Sequence, residues 1–208
     1  IRRKNNNKKK WFSSSSSISP PKIGGAPVAE TRSNRPCVRT PIFALQLAKC
    51  MGAKVIATSS TEEKLAKLKE LGADELINYK EHPEWGKEVL KITNNEGVDH
   101  VMEVGGGGTF GESVRAAKLG GHIALIGVLS GPAVSEIILP RIFLKQVRLS
   151  GIAMANQQSQ IAMIEFIEKH NIKPVISDTF DLANLSDAFQ HQIDNKHFGK
   201  ISITMGAE

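Results

Sequence analysis

The sequence predicts an α/β fold built on a doubly wound, Rossmann-type parallel sheet, and three observations predict it. Short apolar runs recur with polar residues at both ends, as strands covered on both faces require. Stretches with helical apolar spacing separate them, and the connections are only a few residues long. Strands that are apolar on both faces and alternate with helices must pair in parallel through right-handed crossovers.

The elements follow in order from Pro41. This proline suits a helix start, and IFALQLAKCMG places Ile42, Leu45, Ala48 and Met51 on one face before Gly52. Lys54–Thr58 (KVIAT) is a continuous apolar strand. Ser60-x-x-Glu63 reads as a capping box, opening a helix with Leu65, Leu68 and Leu71 on one stripe before Gly72. Glu75–Tyr79 (ELINY) is strand-like. Pro83 opens a further helix with Trp85, Val89 and Ile92 inward, and Val98–Val104 runs as a strand into four glycines. A helix over 110–119 and the strand HIALIGVL come next, then a strand over Arg148–Ala153. An amphipathic helix over Gln157–His170 directs Ile161, Ile164 and Ile167 inward. A strand–helix–strand extension closes the chain: Val175–Phe180, a helix from Leu185, and KISITM. The expected organisation is a basic, disordered segment over 1–40, a cofactor-type sheet over 41–172 and a return segment over 173–208.

Composition narrows the function classes. The 208 residues carry a formal charge of +6, yet residues 1–40 hold ten Lys/Arg and one acid, and the other 168 hold 17 bases and 20 acids. The positive charge therefore belongs to a tail of Lys/Arg, five consecutive serines and Pro/Gly pairs, which has no apolar period with which to offset its ordering entropy. A mitochondrial transit peptide is the rival for an Arg- and Ser-rich tail, but no amphipathic pattern supports it. Nucleic-acid binding by the tail is disfavoured, because only Trp11 and Phe12 are there to stack. No stretch reaches the roughly 20 apolar residues of a membrane-spanning helix, so no membrane partner and a cytoplasmic location are expected, with a mitochondrial one still open. Cys37 and Cys50 lie thirteen apart, and the six histidines show no ligand spacing, so neither zinc nor a disulfide framework is expected here.

Ligands of such sheets sit at the carboxyl ends of the strands. The first end is Thr58-Ser59-Ser60 followed by Lys64. An NAD-preferring fold places an acid here for the ribose 2′-hydroxyl, whereas hydroxyls and a lysine suit a 2′-phosphate. On spacing alone, a serine helix cap beside a solvated lysine is an equal reading. The others are Val104 with Gly105–Gly108, and Gly127-Val128-Leu129 with Ser130-Gly131. Glycines permit close backbone approach to a ligand, though such a run is also an ordinary flexible connection.

LQLAK-x-x-GAKVIAT-S-S, LGAD-x-x-INY, GVDHVMEVGGGGTF, AKLGGHIALIGVLSG and the late HFGKISI together resemble the medium-chain dehydrogenase/reductase superfamily, in its zinc-type alcohol dehydrogenase-like and quinone oxidoreductase-like branches. The resemblance covers about four-fifths of the chain, from Pro41 to Met205. It implies the cofactor-binding domain of an NAD(P)-dependent oxidoreductase. Ser59, Ser60 and Lys64 would surround the adenosine ribose and its 2′-phosphate, with Tyr79 near the adenine. Val104 and Gly105 would line the middle of the dinucleotide, Gly127, Val128 and Leu129 the nicotinamide, and Phe198-Gly199-Lys200 the cleft between domains. NADP(H) is thus expected over NAD(H), with a small-molecule substrate and a homodimer in the full-length relative.

Two departures accompany the resemblance. Nothing here matches the GroES-like catalytic domain that begins the relatives. Where they carry a first strand and the turn Gly-Thr-Gly-Gly-Val-Ser, this chain has Arg35-Pro36-Cys37-Val38-Arg39-Thr40-Pro41. That turn needs glycines so that backbone N–H groups can reach the pyrophosphate at a helix N-terminus. The sheet is therefore expected to lack its first strand, and the chain alone to bind dinucleotide weakly and turn nothing over. A frame shift, a truncated pseudogene product or a mis-spliced exon would explain the break: shifted by one base, Asn-Arg-Pro-Cys-Val-Arg can encode Thr-Gly-x-Val-Ser. Rival readings are a non-catalytic interaction module with a basic tail as its contact, and a destabilised product with unpaired strand edges.

Overall fold

The computed structural model describes the backbone of residues 36–38 and residues 42–131, 139–194 and 196–206. These belong to one compact unit, residues 33–208. The expectations for the basic segment before residue 36, and for the turn over 39–41, lie outside the described residues.

Six parallel strands form the main sheet, in the order β3-β2-β1-β4-β5-β6. They are β1 (Pro36–Val38), β2 (Lys54–Ser59), β3 (Glu75–Asn78), β4 (Val98–Glu103), β5 (Ala117–Leu125) and β6 (Arg148–Gly151). The helices between them are α1 (Ile42–Cys50), α2 (Glu62–Glu70), α3 (Trp85–Ile92), α4 (Phe110–Ala116) and α5 (Leu139–Leu144). After β6 come α6 (Gln157–Lys169), β7 (Ile176–Asp181), a 3-10 turn over Leu182–Asn184, α7 (Leu185–Ile193) and β8 (Lys200–Thr204). β7 and β8 pair in parallel as a separate two-stranded sheet.

The strand order corrects the expectation that the first strand is missing. Pro36–Val38 lies between β2 and β4, pairing Cys37 with Val55 on one side and with His100 on the other. A strand slot asks for extended backbone between two partners rather than for a particular side chain. Pro36 stands at its first residue, where a missing N–H is tolerated.

Burial explains the continuous apolar reading of β2. Val55 and Ala57 pack with Leu45, Leu65 and Leu68 of α1 and α2. Ile56 packs on the other cluster, with Trp85 and Val89 of α3 and Phe110 and Val114 of α4. Asp74 ties the start of this strand: its carboxylate accepts the Val55 N–H at 2.7 Å and the Lys49 ammonium at 2.8 Å. Burial opposes ionisation of Asp74, but these two hydrogen bonds outweigh it and hold the carboxyl below its usual range.

Three local expectations shift. Thr61, not Ser60, caps α2, accepting the Lys64 N–H at 3.4 Å, while Glu63 pairs with Lys67 at 2.6 Å. α4 ends at Ala116, because the Lys145 ammonium takes the carbonyls of Arg115 (2.6 Å) and Ala117 (2.7 Å), and β5 begins at once. α6 forms as expected, yet none of its residues is buried and Ile161 and Ile164 stay exposed. No described helix is long and apolar enough to cross a membrane.

Candidate functional site

The carboxyl ends of β2, β4 and β5 carry the candidate residues, as parallel winding dictates. A pocket of about 260 Å³ opens at the end of β2. Thr58, Ser59 and Lys64 line it from one side, Ile42 and Phe43 of the first turn of α1 from another, and His197–Lys200 close it. The closing segment is fixed to β7 and the residue before it. The Phe198 N–H donates to Ser177 Oγ at 3.0 Å and the Lys200 N–H to the Val175 carbonyl at 2.8 Å. Gly199 sits at φ +90°, and any Cβ there would overlap the Val175 carbonyl. Lys200 Nζ lies 6.0 Å from the Phe43 ring and Lys67 Nζ 5.5 Å from the Phe198 ring, within reach of cation–π attraction.

The electrostatics of this pocket are one-sided. Two lysines and a histidine line it, and no carboxylate does. The nearby acids are engaged elsewhere: Glu62 accepts from Asn78 Nδ2 at 2.8 Å, and Glu63 holds Lys67. Thr58 Oγ1 and His197 Nδ1 are buried atoms with no hydrogen-bond partner among the described residues. A group with several acceptor oxygens and negative charge is the chemistry that complements them.

A second cluster joins β4 to β5. Glu103 is fully buried at the end of β4 and accepts the N–H groups of Gly105 (2.6 Å) and Gly106 (3.0 Å) and the Thr109 hydroxyl (2.8 Å). Ser113 Oγ also donates to it. The loops after the two strands are then stitched together. Ser130 donates both its N–H (2.6 Å) and its hydroxyl (2.7 Å) to the Gly105 carbonyl, and the Leu129 N–H reaches the Val104 carbonyl at 3.2 Å. Gly106, at φ +82°, permits this approach, since a Cβ there would lie 2.7 Å from Val128 Cα. Val128 and Leu129 are left exposed at the mouth.

The structure thus brings Ser59, Lys64 and Lys200 to one pocket, and Val104, Gly105, Gly127, Val128 and Leu129 to another strand-end cluster. Ser60 and Tyr79 stand beside the first pocket without lining it; the Tyr79 N–H extends the β2–β3 ladder to the Ser59 carbonyl at 3.0 Å. Sequence reasoning missed His197 and Glu103. His197 carried one usable signal, its place directly before Phe198-Gly199-Lys200. Glu103 carried another, an acid closing an otherwise apolar strand.

The comparisons with known proteins agree with this architecture. The zinc-binding dehydrogenase family model matches residues 42–169. A zinc-type alcohol dehydrogenase-like protein of Schizosaccharomyces pombe is 36% identical over 164 residues, 77% of this chain and 47% of that protein. An acryloyl-coenzyme A reductase of Sulfurisphaera tokodaii is 31% identical over 162 residues, 78% of this chain and 46% of that one. The solved structure of an alcohol dehydrogenase, described as putative, from Sinorhizobium meliloti 1021 superposes with a TM-score of 0.75 at 33% identity, covering 82% of this chain and 51% of that one. The chain spans about half the length of these relatives. Among the described residues, no three His, Cys, Asp or Glu side chains are grouped to hold a metal ion, so no chemistry is routed through zinc here. By sequence and by fold, the chain belongs to the zinc-binding dehydrogenase family, within the medium-chain dehydrogenase/reductase superfamily.

Proposed function

We propose that the chain is the cofactor-binding part of an NADP-preferring oxidoreductase, one that moves hydride to or from an alcohol, aldehyde or enone when complete. The carrying observation is the acid-free pocket at the end of β2, where Ser59, Lys64, Lys200 and the orphaned Thr58 hydroxyl converge. A dinucleotide with a 2′-hydroxyl asks for a carboxylate at this position, and both nearby glutamates are occupied. A 2′-phosphate asks for cations and hydroxyl donors, which are present.

The nicotinamide cofactor supplies the hydride when bound. The residues of this chain do the binding and orienting: Ser59, Lys64 and Lys200 take the adenosine phosphate end. The stitched loops carrying Val104, Gly105 and Gly127–Leu129 offer a surface to the nicotinamide end, with Tyr79 nearer the adenine. Ser60 supports the turn that aims Ser59. Between the two ends, Arg39-Thr40-Pro41 replaces the glycine turn that relatives use for the pyrophosphate. The chain alone therefore binds dinucleotide weakly and turns nothing over.

Fluorescence titration of the purified chain with NADPH and NADH tests both halves of this reading. The expected result is weak binding with NADPH ahead. Micromolar affinity for NADPH would overturn the claim of a damaged pyrophosphate site, and a clear preference for NADH would overturn the assignment of Lys64.

A further inference from the structure

We propose that His197 is a specificity-determining contact for a nucleotide 2′-phosphate, and that it takes up a proton when that group binds. The inference rests on the NADP-type reading of the β2 pocket and adds to it a residue and a coupling. His197 lines the pocket beside Thr58, Ser59, Lys64 and Lys200, and its Nδ1 is buried without a hydrogen-bond partner among the described residues. An imidazole nitrogen left in this way is costly unless a ligand completes it.

The surroundings set its protonation state. Burial opposes the charged ring first, and the ammonium of Lys64 on α2 opposes it next. His191 on α7 and Lys200 on β8 act in the same sense, while Asp178 on β7 favours the charge. Asp178 is committed elsewhere: its carboxylate accepts the Ser177 hydroxyl at 2.5 Å and lies 3.1 Å from His191 Nε2. The net result is a His197 that titrates below the usual histidine range, hence mostly neutral at pH 7.

A phosphomonoester reverses this balance. Its dianion offsets Lys64 and Lys200 and offers an acceptor to Nδ1, so the protonated ring becomes the favoured state in the complex. By linkage, a ligand that raises the pKa of His197 must bind more tightly as pH falls toward the unliganded value. A 2′-hydroxyl carries no charge at that position and produces no such coupling. The adenosine end alone thus has the means to separate the two dinucleotides, without help from the altered pyrophosphate turn.

The test is an NMR titration of the His197 ring protons in the whole chain, alone and with saturating 2′,5′-ADP or 5′-AMP. The expected result is a rise of about one pKa unit or more with 2′,5′-ADP and none with 5′-AMP; one unit corresponds to a tenfold coupling. His197→Asn supplies the second readout. The ratio of wild-type to variant affinity for 2′,5′-ADP should grow about tenfold from pH 8 to pH 6, a comparison that cancels the titration of the phosphate itself. Binding of 2′,5′-ADP with an unmoved His197 pKa, or an equal shift with 5′-AMP, overturns the proposal and leaves the NADP-type reading standing. Failure of 2′,5′-ADP to bind at all overturns both.

Discussion

Glu103 is a buried carboxylate with two backbone amides and two hydroxyls donating to it, and Glu103→Leu removes that acceptor while keeping much of the volume. The hydroxyls can recover. Thr109 Oγ1 already lies 3.3 Å from the Gly106 carbonyl, and a serine can rotate. The amides of Gly105 and Gly106 cannot turn away without breaking the loop that Ser130 and Leu129 hold. Each unsatisfied buried donor costs roughly 1–3 kcal/mol, and loss of a charged acceptor lies at the upper end, so the variant should lose about 3–5 kcal/mol. For a unit of this size that is a fall of roughly 6–20 °C in Tm. Glu103→Gln keeps one acceptor oxygen and should lose about 1–2 kcal/mol. Urea melts give the stabilities, and hydrogen exchange at Gly105 and Gly106 locates the damage: protection should fall there before it falls in β5. A Glu103→Leu variant within about 0.5 kcal/mol of wild type would refute the reasoning, because satisfied buried donors would then be worth nothing here.

Other perturbations probe the remaining joints. Lys64→Ala should weaken NADPH about tenfold and leave NADH unchanged by titration, as expected for loss of one charge-assisted contact to a phosphate. Gly199→Ala forces a side chain at φ +90° into the Val175 carbonyl, and should cost about 1–3 kcal/mol in a thermal melt while unpinning the loop that closes the pocket. Asp74→Asn tests the tie between β2 and α1. The carboxyl of Asp74 titrates below its unfolded value of about 3.9, so its stabilisation is present above that pH and is lost as pH falls through the folded value. The variant should be less stable than wild type by about 1 kcal/mol at pH 7 and equal to it near pH 2; an undiminished difference in acid would show that the charge is irrelevant.

Much of this was legible in the chain itself. The continuous run KVIAT needed cover on both faces, and Val55 and Ile56 indeed pack into different clusters. Ser59 and Lys64 could be placed together because one follows a strand and the other rises one turn into the next helix. Lys200 is a different matter. It lies 136 positions beyond Lys64, and only the family resemblance linked them before the pocket did. Thr61 displaced Ser60 as the helix cap because capping depends on which residue stands at the last extended backbone position, a matter of one residue that spacing does not resolve.

The sequence by itself determined the winding, since apolar periods, caps and glycine stops are local properties that each segment carries wherever it goes. Tertiary structure alone decided that Pro36–Val38 completes the sheet, because a strand slot is filled by whatever extended backbone its two neighbours can pair. It alone decided that Glu103 anchors a glycine loop and that His197 meets Thr58, since burial and orphaned hydrogen bonds arise only between segments brought together.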